Sequence, residues 1–343
     1  MRKTTVFIAL AAIAALLTCC THTEKPVSGV VHETEVFSIK EKDTLKIDFY
    51  EDRSVDIPEG GRPVMIYIHG GGFTTGERVN AAQQVFCNYL AERGWLGVSV
   101  DYRLAGITWS EEGIVNPYGV DGTVSAIRYA TEDVVAATKY ILETKKGTVN
   151  PAKICLAGGS AGACTALQLV YDCCNEEPYT ESLPEGFSYA GVISQAGCIS
   201  ANAESIEWKN KPCPIMFFHG DQDTVVPLEK GNADCTFFGT LYIERQLKEM
   251  GVPYWKWIEK GADHVMAMKP LTTYLEEQYR FLNDFVINGL DSVVLTEVAD
   301  KEPAGMSSVE AMIKYVPLYI LGYGKYLEEI DWGDLSAPTQ VVY

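Results

Sequence analysis

Between Lys153 and Gly162 the chain reads Lys-Ile-Cys-Leu-Ala-Gly-Gly-Ser-Ala-Gly. The apolar run from Ile154 to Ala157 has strand length and meets Gly158 at once, and a helix-like stretch follows from Ala163 to Tyr171. A strand that turns straight into a helix forces the apical residue into a strained backbone conformation, tolerated only where the flanking positions carry almost no side chain. Gly158 and Gly162 meet that need. The turn holds the hydroxyl of Ser160 at the carboxyl end of a strand and the amino end of a helix, where free N–H groups face any developing anion. Ser160 is the candidate nucleophile. Alone, Gly-x-Ser-x-Gly fits a plain glycine-rich turn as well as it fits catalysis, so the surrounding sequence decides.

Upstream, Val64-Met-Ile-Tyr-Ile-His-Gly-Gly-Gly-Phe73 is a second buried-strand pattern that runs into His69, Gly70, Gly71, Gly72 and Phe73. Consecutive glycines at a strand end let the backbone approach a substrate and offer unpaired N–H donors. Around these two turns strand and helix patterns alternate. Strands are expected at 35–40 and 45–50 (a hairpin), 63–68, 96–100, 153–157, 190–194, 215–218 and 254–258. Helices are expected at 81–93, 124–144, 163–171, 240–250 and 272–288. Repeated β-α-β units predict an α/β class fold, a mostly parallel sheet covered on both faces, with chemistry at the carboxyl ends of its strands. The 343 residues, 47% of them apolar, suffice for one such domain with a substantial core.

Four motifs follow one another along the chain: His69 to Phe73, Asp101-Tyr-Arg-Leu-Ala105, Gly158 to Gly162, and His219-Gly-Asp-Gln-Asp-Thr-Val-Val-Pro227 with Gly261-Ala-Asp-His264 behind it. In these, over residues 63–288, the sequence resembles the α/β-hydrolase esterases and lipases of the H-G-G-G type, the hormone-sensitive-lipase-like and feruloyl or acetyl esterase groups. The resemblance implies an α/β-hydrolase fold with helices on both faces of a mostly parallel central sheet. Many relatives insert a helical lid after the strand ending at Ser194, but here that segment is short. A short or absent lid and an open groove are expected, which suits a bulky or polymeric ester.

A serine hydroxyl is a poor nucleophile without a base in hydrogen-bond reach, and the base needs an acid to fix its tautomer and stabilise its charge. In this fold the order is Ser, then Asp or Glu, then His. Only His219 and His264 follow Ser160. His219 sits at a strand end in the His-Gly-x-x-Asp pattern and is read as a bridge between loops, which leaves His264 as the base. Asp221, Asp223 and Asp263 are all available as the acid, and the resemblance selects Asp223. It likewise implies an oxyanion hole from the N–H groups of Ala161, Gly71 and Gly72. His69 is expected to brace the glycine loop, and Arg103 to pair with Glu132 or Asp133 as scaffold. Loops 105–123, 197–213 and 224–239 leave the same edge, so Phe73, Trp109, Tyr118 and Trp208 are candidate pocket residues. The implied chemistry is serine carboxylic-ester hydrolysis through an acyl-enzyme, on short acyl or carbohydrate-linked acetyl or feruloyl esters, with no cofactor and no metal. A serine peptidase of the same fold, or a surface protein that binds glycan or a partner without turnover, are the alternatives.

The formal charge of −18 disfavours nucleic acid as a partner and leaves a small-molecule or polysaccharide ester unaffected. Arg2 and Lys3 precede an apolar run from Val6 to Leu17 that ends at Thr18-Cys19-Cys20. Such a run is a secretory leader, too short to span a membrane. Its cysteines stand where bacterial lipoprotein signals place the lipidated residue. The expected organisation is a lipoprotein-type signal peptide over 1–19, a tether over 20–33, the hydrolase domain over 34–289 and an extension over 290–343 packed on the body. The expected location is the bacterial cell envelope, periplasmic or outer-membrane, with contact to the membrane only through the lipid anchor. Export permits disulfides, and Cys198 and Cys213 bracket one loop and are able to pair. Cys155 and Cys164 read as small apolar core residues, and no cysteine spacing has the form of a zinc site.

Overall fold

Every side chain but one from Arg62 to Ile68 is buried, the pattern of a strand covered on both faces. Successive side chains on a strand point to opposite sides, so Val64, Ile66 and Ile68 enter one apolar core while Met65 and Tyr67 enter another. The computed structural model describes residues 29–299 except 41, 107, 111–112, 116–117 and 120–121. Its main sheet contains β1 (Val30–Lys40), β2 (Asp43–Asp52), β3 (Arg62–Ile68), β4 (Leu96–Val100), β5 (Val149–Gly159), β6 (Gly191–Gln195), β7 (Ile215–Gly220), β8 (Tyr254–Lys260) and β9 (Val293–Ala299). Their spatial order is β1-β2-β4-β3-β5-β6-β7-β8-β9. β2 pairs antiparallel with β1 and with β4. All the other neighbours run parallel.

The helices divide between the two faces. Buried residues of α1 (Ala81–Ala91), α5 (Pro270–Thr273) and α6 (Leu275–Phe281) join Met65, Tyr67, Cys155 and Ala157. Those of α2 (Gly122–Thr144), α3 (Ala161–Cys174) and α4 (Thr240–Met250) join Val64, Ile66, Ile154 and Leu156. Side chains such as Phe86, Ile66 and Phe217 are fully buried, and each contributes roughly 1.5–3 kcal/mol relative to exposure. The two layers hold the sheet rigid, so residues at its carboxyl edge keep fixed relative positions.

Three expectations differ from the structure. The last helix does not run unbroken over 272–288: α5 and α6 are separated at Tyr274, and a π-helical turn covers Leu282–Ile287. At the break Gln278 Nε2 donates to the carbonyls of Pro270 and Tyr274 at 2.7 and 3.1 Å, in addition to the main-chain N–H groups of Tyr274 and Gln278 that reach the same two oxygens. The extension expected to pack on the body from residue 290 begins by adding a strand to the main sheet, β9, which pairs with β8 from Tyr254↔Val293 to Lys260↔Ala299. The tether expected over 20–33 is already β1 at Val30, which pairs with Asp52. The leader with Cys19 and Cys20, and the tail from residue 300, lie outside the described residues.

Candidate active site

Ser160 sits at the turn between β5 and α3 with φ 53° and ψ −121°, a strained conformation for a residue with a side chain, costing on the order of 1–3 kcal/mol. Its N–H donates to Gln195 O of β6 at 2.9 Å. The flanking glycines are required by crowding. A Cβ on Gly158 would lie 2.4 Å from the carbonyl carbon of Gly162, and one on Gly162 would lie 2.0 Å from Ile68 O. The elbow is thus wedged against the end of β3, where the glycine run begins.

That run passes directly beside the nucleophile. A Cβ on Gly70 would stand 3.4 Å from Ser160 Cβ. Gly71 has φ 117°, and its carbonyl accepts from the N–H groups of Thr74 and Thr75 at 3.1 and 3.0 Å. This tight turn fixes the loop, and among the described residues no main-chain hydrogen bond uses the N–H of Gly71 or Gly72. The N–H of Ala161, first residue of α3, has no carbonyl one turn back to bond. His69 braces the same loop. It is buried, its Nδ1–H donates to Gly70 O at 2.7 Å, and its ring stacks on Tyr102 at 4.3 Å. Tyr102 Oη in turn donates to His69 O at 2.9 Å. Burial holds the His69 pKa below the usual imidazole range, so the ring stays neutral. Beneath it Arg103 Nε donates to Asp133 Oδ2 at 2.8 Å, and Arg103 Nη2 reaches Glu132 Oε2 at 3.1 Å.

Ser160, Asp223 and His264 come together from three strand ends. Ser160 follows β5, Asp223 follows β7 and His264 follows β8. His264 Nε2 is 2.9 Å from Ser160 Oγ, and its Nδ1 is 2.8 Å from Asp223 Oδ2. A nitrogen that faces a carboxylate carries the hydrogen, so Nδ1–H donates to Asp223 and Nε2 is free to accept the serine proton. Asp223 is itself tied down, its Oδ1 accepting from the N–H groups of Val225 and Val226 at 2.9 Å each. Burial works to raise its pKa, and the hydrogen bonds from His219 and His264 outweigh it, leaving the carboxyl below the usual range. His219 is fully buried, with Nδ1 2.9 Å from Thr240 Oγ1 and Nε2 3.0 Å from Val226 O. The two other candidate acids have different partners. Asp221 Oδ1 accepts from Gly261 N–H at 2.7 Å, and Asp263 Oδ1 accepts from Val265 N–H at 2.9 Å.

The pocket residues divide. Phe73 is only 6% exposed and packs edge-on against Tyr102 at 6.3 Å, so it anchors the glycine loop in the core rather than forming a pocket wall. Trp208 is also not at the site. Its ring meets Tyr171 edge-on at 5.0 Å and its Nε1–H donates to Gln246 Oε1 at 2.9 Å. Tyr171 lies eleven residues along from Ser160, about 16 Å at 1.5 Å per residue. Tyr118 lines an open cavity of about 350 Å3 of mixed polar and apolar character together with His69, Asp101, Asp43, Lys42 and Leu104. Trp109 lies in a short hairpin strand, Thr108–Ser110, and its side chain is outside the described residues. Among the described residues, no group of three or more His, Cys, Asp or Glu could hold a metal ion.

Sequence reasoning missed a buried polar chain behind the elbow. Tyr67 Oη donates to Gln195 Oε1 at 3.3 Å, and Gln195 Nε2 donates to Gln278 Oε1 at 2.8 Å. It joins β3, β6 and α6 under the nucleophile. Two glutamines 83 positions apart leave no local pattern to find.

Residues 47–200 match the BD-FAE family model. The chain is similar to Esterase B1 of Culex pipiens, 25% identical over 175 residues that cover 49% of this chain and 30% of that protein. It spans under a third of the length of the curated relatives it matches. Among solved structures it is similar to Thermogutta terrifontis esterase 2 phosphorylated by paraoxon, with TM-score 0.53 and 21% identity over 76% of this chain and 95% of that one. It is also similar to brefeldin A esterase, a bacterial homologue of human hormone sensitive lipase, with TM-score 0.51 and 17% identity over 84% of this chain and 85% of that one.

Proposed function

We propose that this chain, which has the fold of the α/β-hydrolases and matches the BD-FAE family model over residues 47–200, is a serine carboxylic-ester hydrolase of the H-G-G-G esterase and lipase type working through an acyl-enzyme. The observation that carries this reading is the unbroken relay from Ser160 Oγ through His264 to Asp223, at 2.9 and 2.8 Å. His264 Nε2 takes the serine proton as Oγ attacks the ester carbonyl. The oxyanion develops beside the N–H groups of Ala161, Gly71 and Gly72, each such donor being worth about 3 kcal/mol of transition-state stabilisation. The imidazolium, held by Asp223, then protonates the departing alcohol. A water delivers its proton to His264 in the second half and frees the acid.

The preferred substrates in this reading are short acyl or carbohydrate-linked acetyl and feruloyl esters. The segment between β6 and β7 is short and holds no helix, which leaves room for a bulky alcohol. The cavity beside the glycine loop offers carboxylate, hydroxyl and ammonium groups from Asp43, Asp101, Tyr118 and Lys42, chemistry suited to a hydroxylated alcohol such as a sugar. A solved neighbour is phosphorylated by paraoxon, and for this chain we place the same reaction at Ser160.

The test is a panel of p-nitrophenyl acetate, butyrate and octanoate, acetylated xylan, methyl ferulate and a peptide anilide, with Ser160→Ala as the control. Ester turnover that vanishes in the variant, and a diethylphosphoryl adduct on Ser160 after paraoxon, are the expected results. Selective cleavage of the anilide would replace the esterase with a peptidase. Inertness of both proteins on every substrate would leave a binding protein. Lipid attachment at Cys19 or Cys20 belongs to the same proposal and is tested by radiolabelled palmitate incorporation into the full chain and its cysteine variants.

A further inference from the structure

Two thiols meet directly behind the nucleophile. Cys164 lies one turn into α3, where its N–H donates to Ser160 O at 2.9 Å. Cys198 stands in the loop after β6, two residues beyond Ala196, a non-glycine residue at φ 56°. The sulfurs are 3.5 Å apart, and Cys198 N–H donates to Cys164 Sγ at 3.4 Å. Cys164 is 5% exposed and Cys198 2%. Between them the backbones are already in closest packing, since a Cβ on Gly197 would lie 2.6 Å from Ala163 Cβ. The pairing considered from sequence, Cys198 with Cys213, is not the contact the fold makes.

We propose that Cys164 and Cys198 form a disulfide that staples the first turn of the nucleophile helix to the loop after β6. The sulfurs must close from 3.5 Å to a bond of about 2.05 Å. The difference, 3.5 − 2.05, is about 1.5 Å, within the swing that side-chain rotation alone gives a Sγ atom. Helix and loop can therefore stay where they are.

The chemistry balances with an external disulfide as oxidant, a thiol oxidoreductase of an oxidising compartment or oxidised glutathione in the test tube. The Cys164 thiolate attacks one sulfur of that disulfide, whose S–S bond breaks and releases a thiolate that takes up a proton. The Cys198 thiolate then attacks Cys164 in the mixed disulfide. The protein S–S bond forms, and the second external sulfur leaves with its electron pair and picks up a proton. In total the two protein thiols lose two protons and two electrons, and the oxidant becomes two thiols. Burial in the finished fold places the reaction during folding, before helix and loop close over the sulfurs.

The bond is a modification independent of the hydrolase reading, and its test does not need activity. The full chain is refolded from denaturant in a reduced and oxidised glutathione mixture, alkylated, digested and mapped by mass spectrometry. The expected result is a linked peptide pair containing Cys164 and Cys198, with Cys213 and Cys235 alkylated. Closing a loop of 34 residues should raise the apparent melting temperature by roughly 5–10 °C over the reduced chain, and Cys198→Ala should remove that difference. Should Cys198→Ala not fold, Cys164→Ser gives the second reading. Complete alkylation of both thiols after oxidative refolding, or linkage of Cys198 to Cys213 or Cys235, would overturn the proposal.

Discussion

A buried carboxylate serves each end of α3, Asp172 from the helix itself and Asp223 from the loop after β7 through His264, and the two respond to burial in opposite ways. At the amino end Asp223 faces two imidazoles and two main-chain N–H groups, and its pKa falls below the usual range despite burial. Near the carboxyl end Asp172 accepts from Gln168 Nε2 at 2.9 Å and Tyr179 Oη at 2.8 Å. Burial dominates there, those neutral donors offset it in part, and the pKa is pushed up to about 6. Depth alone does not make an acid functional. What separates the two is the kind of hydrogen-bond partner: Asp223 holds the imidazole of His264, itself positioned against a hydroxyl, whereas Asp172 is bonded by neutral donors and feels the charge of Arg128 without such a bond.

The sharpest way to break this comparison is Asp223→Asn. The amide keeps the size of the carboxylate but turns His264 towards the wrong tautomer, and ester turnover should fall by about 10⁴-fold. Folding should survive, because Val225 and Val226 can still donate to the amide oxygen. Steady-state kinetics on p-nitrophenyl acetate measure it. A loss below tenfold would mean that Asp223 is no more catalytic than Asp172.

The next effect is on folding. At the amino end of α3, Gly162→Ala would drive a Cβ to 2.0 Å from Ile68 O, a main-chain atom that no rotamer can move. The expected cost is about 3 kcal/mol or more, seen as a lower urea midpoint. An alanine added at the other end, Cys174→Ala, meets only a half-buried surface and should cost about 1 kcal/mol or less. Equal midpoints would show that the elbow relaxes easily.

These cases show why the site was legible in the sequence and its surroundings were not. A strained turn needs glycine at fixed offsets, and a relay needs His and Asp after particular strands, so Ser160, Asp223 and His264 leave marks. Trp208 and Phe73 are large aromatics near promising loops, and nothing local tells a ring that caps a helix from one that faces a substrate. The Gln195–Gln278 pair and the Cys164–Cys198 contact join distant segments that meet only once the sheet is assembled. β9 was missed for another reason. It is an edge strand with exposed Val293 and Leu295, and its alternately exposed and half-buried positions lack the continuous apolar burial that marks an inner strand of a parallel sheet.

Opposite pKa shifts give the two acids opposite pH signatures. Asp172 has a raised pKa in the fold, so the stability it confers is complete below the unfolded value of 3.8 and is lost as pH rises through about 6. The change, over a span of about two pKa units, is on the order of 3 kcal/mol. Asp223, with its lowered pKa, loses its contribution only as pH falls below the ordinary carboxylate range. Between pH 5 and 7 the first effect acts alone. Thermal melts at those two pH values should show wild type gaining more stability on acidification than Asp172→Asn does. An identical pH response in the two proteins would remove Asp172 from the account.

The smallest expected effect sharpens the comparison most, because it separates the ends of the helix by function. Trp208→Phe keeps an aromatic ring against Tyr171 but removes the hydrogen bond to Gln246, at a cost of about 1 kcal/mol in stability. A ring packed on Tyr171, which lies about 16 Å along the helix from the nucleophile, has no route to the acyl group or the alcohol. The ratio of kcat/KM between acetate and butyrate esters, and between methyl ferulate and either, should therefore stay within about twofold of wild type, since pocket discrimination of even one methylene is worth roughly 1–3 kcal/mol. The melting temperature should move while the substrate preference does not. A tenfold change in preference without loss of stability would put Trp208 back in the pocket, and the loop after β6 would then have to reach the catalytic edge in solution.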